Sequence, residues 1–549
     1  MPTEIYSKDI YNMLCNGGKA LELQVSQIDA LNVFPVPDGD TGTNMNLSFQ
    51  SGIQEMHSNN LANKNFGETI TLFSRGIMMG ARGNSGVILS QLFRGMAQHT
   101  KSHNSINAED FALALEKGVE IAYKAVMKPV EGTILTVARE AAKAAVRASR
   151  KSNDITEVFR AAINQAEITL SQTPEMLPVL KEVGVVDAGG KGLIVIYQGM
   201  YAALTGEEIA TYDHLLNEGV EISVQSQDTE DAFGYCTEFI IKNIMQEIDE
   251  NNLRSTLSEM GESLVVVHDD DFAKIHIHTL DPGKVLTYCT GIGSLHRIKI
   301  DNMTEQHQHI MNSQADNELE EQSTNVSDKK TYGIVSVTNG EGIKEILLSL
   351  GVNEIVFGGQ SMNPSTEDLV CAVNKINADT VIILPNNKNI ILAAEQVSNV
   401  IDDKNIVVIP SKTIPEGVAA MLAFHEEQDI EDNIDVMNEA MKYIVSGQVT
   451  YAVRDTQVNG TTIKEGDILG IIGNDIEVNG PDLIDTTLEL LNKMIDPKQH
   501  EILTIFVGQD VSQQDLQRLT DEIESIYADI EIEIKSGLQP TYYFVISVE

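Results

Sequence analysis

Two polar segments constrain the fold of this chain more than any other feature, because neither can supply a hydrophobic core. The first spans about residues 212–232 and runs into the string QSQDTEDAFG, and the second spans 311–330 and reads MNSQADNELEEQSTNVSDKK. Stretches with so few apolar residues stay solvated and act as linkers. They predict three domains, at residues 1–205, 233–310 and 331–549.

The composition is that of a globular protein with a large excess of acidic residues. The chain has 549 residues, of which 42% are hydrophobic, and its 38 Lys and Arg against 81 Asp and Glu give a net charge of −43. Because nucleic-acid backbones need clustered Lys and Arg, this balance argues against nucleic acid as the main partner. A nucleotide remains possible, since it needs only a local pocket and a cation.

Targeting signals are not found in the sequence. The N-terminal string MPTEIYSKDIYNML lacks the basic run, apolar stretch and cleavage site of an export signal, and no apolar run is long enough to span a bilayer. Cys15, Cys236, Cys289 and Cys371 are far apart, so a disulfide framework is not expected. We therefore expect a cytoplasmic protein without transmembrane segments.

The three domains differ in their hydrophobic patterns. Residues 1–205 show helical spacing, as in EDFALALEKGVEIAYKAVM, and predict an all-α domain with glycine-rich turns. Residues 233–310 carry the strand-like runs SLVVVH and KIHIHT and predict a small α+β module. From residue 331 strands and helices alternate, which favours an α/β fold with a parallel sheet. After about residue 447 the pattern becomes richer in strands and indicates a second subdomain.

The loop PVPDGDTGTN at residues 35–44 is the first candidate site. Asp38 and Asp40 flank one glycine, and two carboxylates this close repel each other unless they share a cation such as Mg²⁺. The following residues offer hydroxyl, amide and backbone N–H donors at an expected helix start, which suits phosphate; they are Thr41, Gly42, Thr43 and Asn44. The alternative is a plain Asp-Gly turn.

Two further glycine-rich loops occur in the same domain. GARGNSG at residues 80–86 precedes an apolar helix, and its Asn84 and Ser85 can donate hydrogen bonds to phosphate. It lacks the Gly-Lys-Ser/Thr ending of a Walker A loop. VVDAGGKG at residues 185–192 adds Asp187, Ala188 and Gly189. For each loop the alternative is a simple turn between helices.

The order of these three loops resembles the nucleotide-binding subunit of dihydroxyacetone kinase. Over its whole length the chain resembles the ATP-binding subunit of bacterial fatty acid kinase. The strings that carry this resemblance are LNVFPVPDGDTGTNMNLS, GARGNSGVILSQLFRG, KPVEGTILTVARE, VGVVDAGGKGL, FGYCTEF, KIHIHT, GGQSMNPSTEDL and ILPNNKNI.

The resemblance implies an eight-helix barrel that binds ATP at one end, with two Mg²⁺ ions between aspartates and phosphates. Asp38 and Asp40 are the expected catalytic and metal-binding residues, and Asp29 is the candidate for a third metal aspartate. Thr41 to Asn44, Asn84 with Ser85, and Asp187 to Gly189 match the nucleotide-contact segments. Arg139 could reach a phosphate, although a solvated helix arginine is the simpler interpretation.

The implied reaction is phosphoryl transfer from ATP to the carboxylate of a fatty acid, which a separate fatty-acid-binding protein presents. The product is an acyl phosphate for phospholipid synthesis. Since a carboxylate is already ionised at neutral pH, we nominate no general base. The resemblance also implies a homodimer. Two alternatives stay open: a kinase for a small molecule such as dihydroxyacetone, and a nucleotide-binding regulator without catalysis.

The middle module carries a candidate zinc site. His276 and His278 are two residues apart on an expected strand, which puts both on one sheet face. With Cys236 they form a ligand set that suits Zn²⁺, and the family resemblance implies that these three bind it. His268, His307 or water are candidates for the fourth ligand. The alternative is two surface histidines and a buried thiol.

Two loops of the C-terminal domain are candidate partner-binding segments. GGQSMNPSTEDL at residues 358–369 starts an expected helix, with Ser365 or Thr366 as its N-cap. LPNNKN at residues 384–389 follows a strand, where α/β folds often place sites. For both we expect protein–protein contact, and for the first a bound anion is an alternative.

Overall fold

The computed structural model describes most of the chain. The residues that it does not describe are 1, 33–38, 60, 62–63, 127, 207–234, 243–252, 254–255, 258–259, 270–271, 303–328, 360–362, 459–460 and 474. Some positions within 235–302 and 457–461 are described by their backbone alone. Both predicted linkers therefore lie outside the described residues, apart from Lys329 and Lys330.

The chain forms two compact units. One contains residues 1–209 together with 329–549, and the other contains 210–328. The first and third predicted domains therefore pack into one unit, an association that the sequence did not indicate. Among the helices that the structure describes, none has the length and apolar character needed to cross a membrane.

The described residues before 207 are almost entirely helical. The helices are α1 (Ser7–Asp29), α2 (Thr41–His57), α3 (Phe66–Met79), α4 (Gly83–Thr100), α5 (Ala108–Ala125), α6 (Ile134–Ser149), α7 (Ile155–Met176), α8 (Pro178–Val183) and α9 (Ala188–Thr205). A short antiparallel ladder joins β1 (Glu4–Ile5) to β2 (Ile106–Asn107).

The long helices pack in a cyclic order. Each of α1 to α7 contacts the next, α7 contacts α9, and α9 returns to α1. Inside this ring the side chains of Phe49, Phe73 and Phe93 meet edge to face, with ring centroids 4.9–5.5 Å apart. A helical barrel requires such a cyclic order, and the eight-helix barrel itself stays a prediction.

Local capping explains where several of these helices begin. Asn65 accepts a hydrogen bond from the backbone N–H of Glu68, and the Glu68 carboxylate accepts one from the backbone of Asn65. Asn107 and Asp110 form the same reciprocal arrangement at the start of α5. Such capping boxes satisfy backbone donors that have no partner within the helix.

The middle unit is a four-stranded antiparallel sheet with helical residues packed on it. Its elements are β3 (Tyr235–Lys242), β4 (Glu262–Asp269), β5 (Phe272–Thr279), α10 (Pro282–Thr290) and β6 (Ser294–Asn302), and the strand order is β4-β5-β3-β6. Buried Phe239, Ile241, Ile275 and Ile277 share one face of the sheet and pack against Val285 of α10. The strands β4 and β5 contain the runs SLVVVH and KIHIHT.

The described residues from 329 onward fall into two successive α/β parts. The first contains β7 (Lys330–Thr338), α11 (Glu341–Ser349), β8 (Glu354–Phe357), α12 (Thr366–Lys375), β9 (Ala378–Leu384), α13 (Ile391–Val397), β10 (Asn405–Val408), α14 (Ile414–Ala423) and α15 (Ile430–Lys442). The second contains β11 (Val445–Tyr451), β12 (Thr456–Val458), β13 (Thr461–Ile463), β14 (Ile468–Ile472), β15 (Asp475–Gly480), α16 (Leu483–Met494), β16 (Ile502–Val507), α17 (Gln513–Ile526), β17 (Glu531–Ser536) and β18 (Phe544–Val548).

The two larger sheets of this region have different topologies, and β12 and β13 form a separate antiparallel pair. The first sheet is parallel, in the order β10-β9-β7-β8, and the second is mixed, in the order β15-β14-β11-β18-β16-β17. The predicted parallel sheet and the change of pattern near residue 447 are both confirmed. In a parallel sheet all carboxyl ends meet at one edge, and the loops that leave β8 and β9 lie at that edge.

Candidate active site

The acidic loop leads directly into α2. Asp38 lies outside the described residues, and Asp40 is the residue that precedes the first turn of the helix. The Asp40 side chain does not cap this helix. Its Oδ2 atom instead accepts a hydrogen bond of 2.7 Å from the amide Nδ2 of Asn363, which belongs to the C-terminal region. Asp40 is therefore held by a contact that crosses between the two regions.

Asp29 caps α2 from the end of α1. Its Oδ1 atom accepts hydrogen bonds from the backbone N–H groups of Gly42 at 2.6 Å and Thr43 at 3.2 Å, and its Oδ2 accepts one from the Thr43 hydroxyl at 2.8 Å. These contacts satisfy donors that the first turn of a helix leaves unpaired. They give Asp29 a structural task, and its role as a third metal ligand stays a prediction.

The second glycine-rich loop is tightly packed against α2. Gly83 has φ of +57°, and a Cβ there would lie 2.7 Å from the amide of Asn44. The backbone N–H of Arg82 donates to the Ser48 hydroxyl over 3.0 Å. A side chain at residue 83 would be strained and crowded, so the glycine allows α4 to begin beside α2.

The third loop places a carboxylate with a raised pKa at the start of α9. Asp187 accepts a hydrogen bond of 2.7 Å from the backbone N–H of Gly190 and so caps this helix. Desolvation raises the pKa of Asp187 to about 6, while hydrogen bonds from the backbone of Gly190 and Ile134 oppose that shift. The carboxyl group is therefore poised to titrate just below neutral pH.

The three loops meet around one cavity of about 340 Å³. Most of the predicted nucleotide-contact residues line it, namely Thr41, Asn44, Asn84, Ser85, Asp187, Ala188 and Gly189. Asp40, predicted as a catalytic and metal-binding residue, lines it as well. Gly42 and Thr43 are not among the lining residues, because their backbone groups face Asp29. The apolar part of the lining comes from Leu31, Ile88, Ile134 and Leu180.

Four polar lining residues were not predicted to belong to this site. Asn32 precedes the acidic loop, its Oδ1 accepts from the Thr41 hydroxyl over 2.8 Å, and its Nδ2 is buried without a hydrogen-bond partner among the described residues. Thr133 lies in the string KPVEGT, at the start of α6. Lys388 and Asn389 come from the C-terminal region. A polar residue within the apolar run ALNVF was the available signal for Asn32. Lys388 and Asn389 lie in LPNNKN, which the sequence predicted as a partner-binding segment and not as part of this cavity.

The C-terminal region packs directly against this end of the helical region. The Arg82 guanidinium donates to the backbone carbonyl of Asn363 over 2.9 Å, and the backbone N–H of Thr366 donates to the carbonyl of Ala81 over 3.1 Å. The buried amides of Gln91 and Gln396 are 3.0 Å apart. The two loops that we expected to bind a separate partner therefore have described contacts within their own chain.

Two predicted details of these segments have clear outcomes. Ser365, one of the two predicted N-cap candidates, is the N-cap of α12, and it forms a capping box with Asp368. Arg139 does not line the cavity. Its guanidinium donates to both carboxylate oxygens of Glu131, at 2.6 and 2.8 Å, and to the Tyr123 hydroxyl at 2.8 Å. The alternative of a phosphate-binding arginine therefore has no support from its described contacts.

The sheet register brings the candidate zinc positions of the middle module onto one face. Cys236 of β3 is directly opposite His278 of β5, and His276 is two residues from His278 on the same strand. His268 pairs with Ala273, which lies three residues before His276 on β5. Because faces alternate along a strand, Ala273 and His268 lie on the opposite face of the sheet from His276. The register therefore places His268 apart from the other three positions, the fourth ligand stays open, and His307 lies outside the described residues.

The side chains of these zinc candidates lie outside the described set. Among the side chains that the structure describes, no group of three or more His, Cys, Asp or Glu could hold a metal ion. The register also places Asp301 of β6 directly opposite Cys236.

Three family models match successive parts of the chain. They are the DAK2 domain over residues 35–202, the FakA-like middle domain of fatty acid kinase over 232–310, and the FakA-like C-terminal domain of fatty acid kinase over 333–549.

Curated relatives match over nearly the whole length. Protein YloV of Bacillus subtilis is 47% identical over 550 residues, which cover 98% of each chain. An uncharacterized protein of Staphylococcus aureus strain USA300 is 42% identical over 559 residues, which cover 100% of each chain.

Solved structures match smaller parts of the chain. The DegV family protein Cg2579 of Corynebacterium glutamicum has a TM-score of 0.31 and 12% identity, and the match covers 40% of this chain and 97% of that one. Fatty Acid Kinase (Fak) B3 of Streptococcus pneumoniae, loaded with linoleic acid, has 0.29 and 12%, with 40% and 99% covered. Dihydroxyacetone kinase of C. freundii with AMP-PNP and Mg²⁺ has 0.29 and 19%, with 35% and 33% covered. At these TM-scores the likenesses carry no functional argument.

Proposed function

Because this chain belongs to the FakA-like family of fatty acid kinase proteins, we propose that it transfers the γ-phosphoryl group of ATP to the carboxylate of a fatty acid. In this proposal a separate fatty-acid-binding protein presents the fatty acid, and the product is an acyl phosphate for phospholipid synthesis. The chain is then the catalytic component of the kinase.

The convergence of four helix N-termini on one cavity is the observation that carries this proposal. The starts of α2, α4, α6 and α9 supply the lining residues Thr41, Asn84, Ile134 and Ala188. A helix N-terminus presents unpaired backbone N–H groups and the positive end of the helix dipole. Four of them around one cavity form an environment for a multiply charged anion, and a nucleotide triphosphate is such an anion.

The residues present also fit magnesium. Asp40 lines the cavity, and we propose that it holds two Mg²⁺ ions together with Asp38. When bound, the metal neutralises charge on the transferred phosphoryl group. The Asn363 amide keeps Asp40 in one orientation. Asn32 offers a buried amide N–H to the same space. The Ser85 hydroxyl and the backbone at Gly189 are further donors to phosphate.

Delivery of the fatty acid by another protein rests on the family to which the chain belongs and not on the size of its cavities. One cavity of the C-terminal region, at the carboxyl edge of the parallel sheet, has a volume of about 50 Å³, which is too small for a long acyl chain. A second cavity, lined mainly by residues between 354 and 375, has a volume of about 550 Å³.

One set of reactions tests the proposal against its two alternatives. Purified chain with ATP and Mg²⁺ is given a fatty acid with or without a fatty-acid-binding protein, or dihydroxyacetone. Acyl phosphate formed only with the binding protein supports the proposal. Transfer to dihydroxyacetone supports the small-molecule kinase. ATP binding without transfer to either acceptor supports the regulator.

We also propose that Cys236, His276 and His278 bind Zn²⁺ in the middle unit. The support is the register, which puts the three positions on one face of the sheet, opposite the face that carries the apolar core. Cysteine and histidine are preferred zinc ligands. Asp301, directly opposite Cys236, takes the place of His268 as a fourth-ligand candidate. We also keep the homodimer as a proposal.

A further inference from the structure

The active-site cavity has walls from two regions that are far apart in sequence. The helical region supplies the three predicted loops, and the segment 385–389 after β9 supplies Lys388 and Asn389. We call this segment, with the sequence PNNKN, the lysine loop. The lysine loop follows β9 at the carboxyl edge of the parallel sheet, which is where α/β folds often place binding sites. Its Lys388 and Asn389 line the cavity.

Buried hydrogen bonds fix the conformation of the lysine loop. Asn386 has φ of +53° and is 7% exposed. Its Nδ2 donates to the Ser336 hydroxyl and to the Val337 carbonyl, each over 2.9 Å, and its Oδ1 accepts from the Ser411 hydroxyl over 2.7 Å. A non-glycine residue with positive φ needs such support from its surroundings.

The residue after this anchor is held as well. The Asn387 side chain is buried and accepts a hydrogen bond of 2.8 Å from the backbone N–H of Asn389. Lys388 is exposed between these two asparagines. The loop therefore places a lysine at the cavity on a backbone that is ordered before any ligand binds, which lowers the entropic cost of binding.

A direct contact joins the lysine loop to the predicted phosphate loop. Asn84 Nδ2 donates to Asn389 Oδ1 over 3.2 Å. The neighbouring Gln91–Gln396 contact is buried, and Ala81 and Val87 of the helical region belong to the hydrophobic core of the parallel sheet. These contacts keep the lysine loop at the cavity.

The charges around the cavity indicate a phosphate-binding role for Lys388. The lining includes the carboxylates of Asp40 and Asp187, and Lys388 is the single Lys or Arg among the described lining residues. A nucleotide triphosphate carries about four negative charges, and a lysine ammonium binds phosphate as a point charge. The helical region supplies dipoles and metal-binding carboxylates, but its described lining supplies no cationic side chain.

We infer that the C-terminal region completes the nucleotide site, with Lys388 binding the polyphosphate of ATP and Asn389 positioning Asn84. This inference rests on the proposed function only in taking a nucleotide as the ligand. It is independent of the identity of the phosphoryl acceptor.

Nucleotide affinity of the full-length chain tests the inference without any acceptor. We expect Lys388→Ala to weaken binding of ATP with Mg²⁺ about fivefold to tenfold, as loss of one partly solvated charged contact should. Lys388→Arg should restore most of the affinity. Lys442→Ala removes another exposed lysine of the same region, one that pairs with Glu439, and should leave ATP affinity unchanged.

Adenosine, measured as a competitor of a fluorescent ATP analogue, separates phosphate binding from a structural role. The inference predicts unchanged adenosine affinity in Lys388→Ala. Equal losses for ATP and adenosine, or an ATP affinity equal to that of the wild type, would overturn it. If fatty acid phosphorylation fails while the Lys388-dependent ATP binding persists, the proposed reaction falls and this inference stands.

Discussion

The cavity at the start of α2 and the sheet of the middle unit were both predicted to bind metal, but the chain builds them in different ways. The cavity combines residues from Asn32 to Asn389, and helix packing is required to bring them together. The middle sheet needs only the pairing of two strands to bring Cys236 opposite His278. A site formed between packed regions can include residues that no local sequence motif identifies. A site formed by paired strands can be predicted largely from the spacing of its residues in the sequence.

Loss of Asp40 should give the largest effect and test the cavity side of this comparison. Asp40→Ala removes a carboxylate that we assign to Mg²⁺, and metal-dependent charge neutralisation is worth several kcal/mol in phosphoryl transfer. We expect transfer to fall by about three orders of magnitude, while the thermal midpoint changes little. Steady-state kinetics and thermal unfolding measure both. Transfer within tenfold of the wild type would contradict the metal assignment.

The matched histidines of the middle sheet test its side of the comparison. His276→Ala should lose stoichiometric zinc, because it removes one of three proposed ligands. His268→Ala is the control, since His268 lies on the opposite face of the same sheet and should retain the metal. Elemental analysis of the two purified variants gives the answer. Equal zinc contents would reject the assignment from register.

The Asn363–Asp40 hydrogen bond tests whether the cavity depends on both regions. Asn363→Ala leaves Asp40 without this orienting donor. Loss of a group that orients a metal ligand typically costs 10–100-fold in metal affinity or activity. We expect the Mg²⁺ concentration for half-maximal transfer to rise about tenfold.

Asn353→Ala is the control, because it makes the same substitution in the C-terminal region at a residue that accepts a hydrogen bond from the backbone of Ile334. A Mg²⁺ requirement that is unchanged in Asn363→Ala would show that the helical region orients Asp40 by itself.

The smallest expected effect is a pH dependence of stability at Asp187. Its pKa of about 6 lies above the value of about 4 for an unfolded aspartate, so the folded chain binds the proton more tightly. Asp187 therefore contributes most to the free energy of unfolding at low pH, and this contribution is lost as the pH rises through about 6. The free energy of unfolding of the wild type minus that of Asp187→Asn should be higher by about 1–2 kcal/mol at pH 4.5 than at pH 7.5, as measured by denaturant unfolding.

Asp154→Asn makes the same change at another helix N-cap and controls for the cap itself. A difference between wild type and Asp187→Asn that does not vary with pH would contradict a raised pKa at Asp187.

Local sequence patterns predicted most of the elements and the three loops of the helical region. Helical spacing, glycine-rich turns and alternating strands are encoded over a few residues. The structure brings Asn84, Ser85 and Asp187 of the predicted loops to one cavity. Asp29 shows where this reasoning stops. A carboxylate near a DGD motif suggests a metal ligand, but the first turn of α2 has unpaired N–H groups that the same carboxylate satisfies.

The contribution of the C-terminal region could not be predicted, because it depends on contacts between residues about 300 positions apart. Asn84 meets Asn389 and Asp40 meets Asn363 only after two separately patterned regions have packed together. The loops around Asn363 and Lys388 were recognised as functional and assigned to a separate partner. Local patterns identify such a loop, and only the packed structure identifies the surface that it contacts.

Trapping of the product with hydroxylamine tests the central claim most directly. Hydroxylamine converts an acyl phosphate to a stable hydroxamate, which mass spectrometry quantifies. We predict fatty acyl hydroxamate in reactions that contain the chain, ATP with Mg²⁺ and a fatty-acid-loaded binding protein, and none when that protein is omitted or Asp40 is replaced by Ala. Absence of hydroxamate from the complete reaction, with ATP binding intact, would contradict the account.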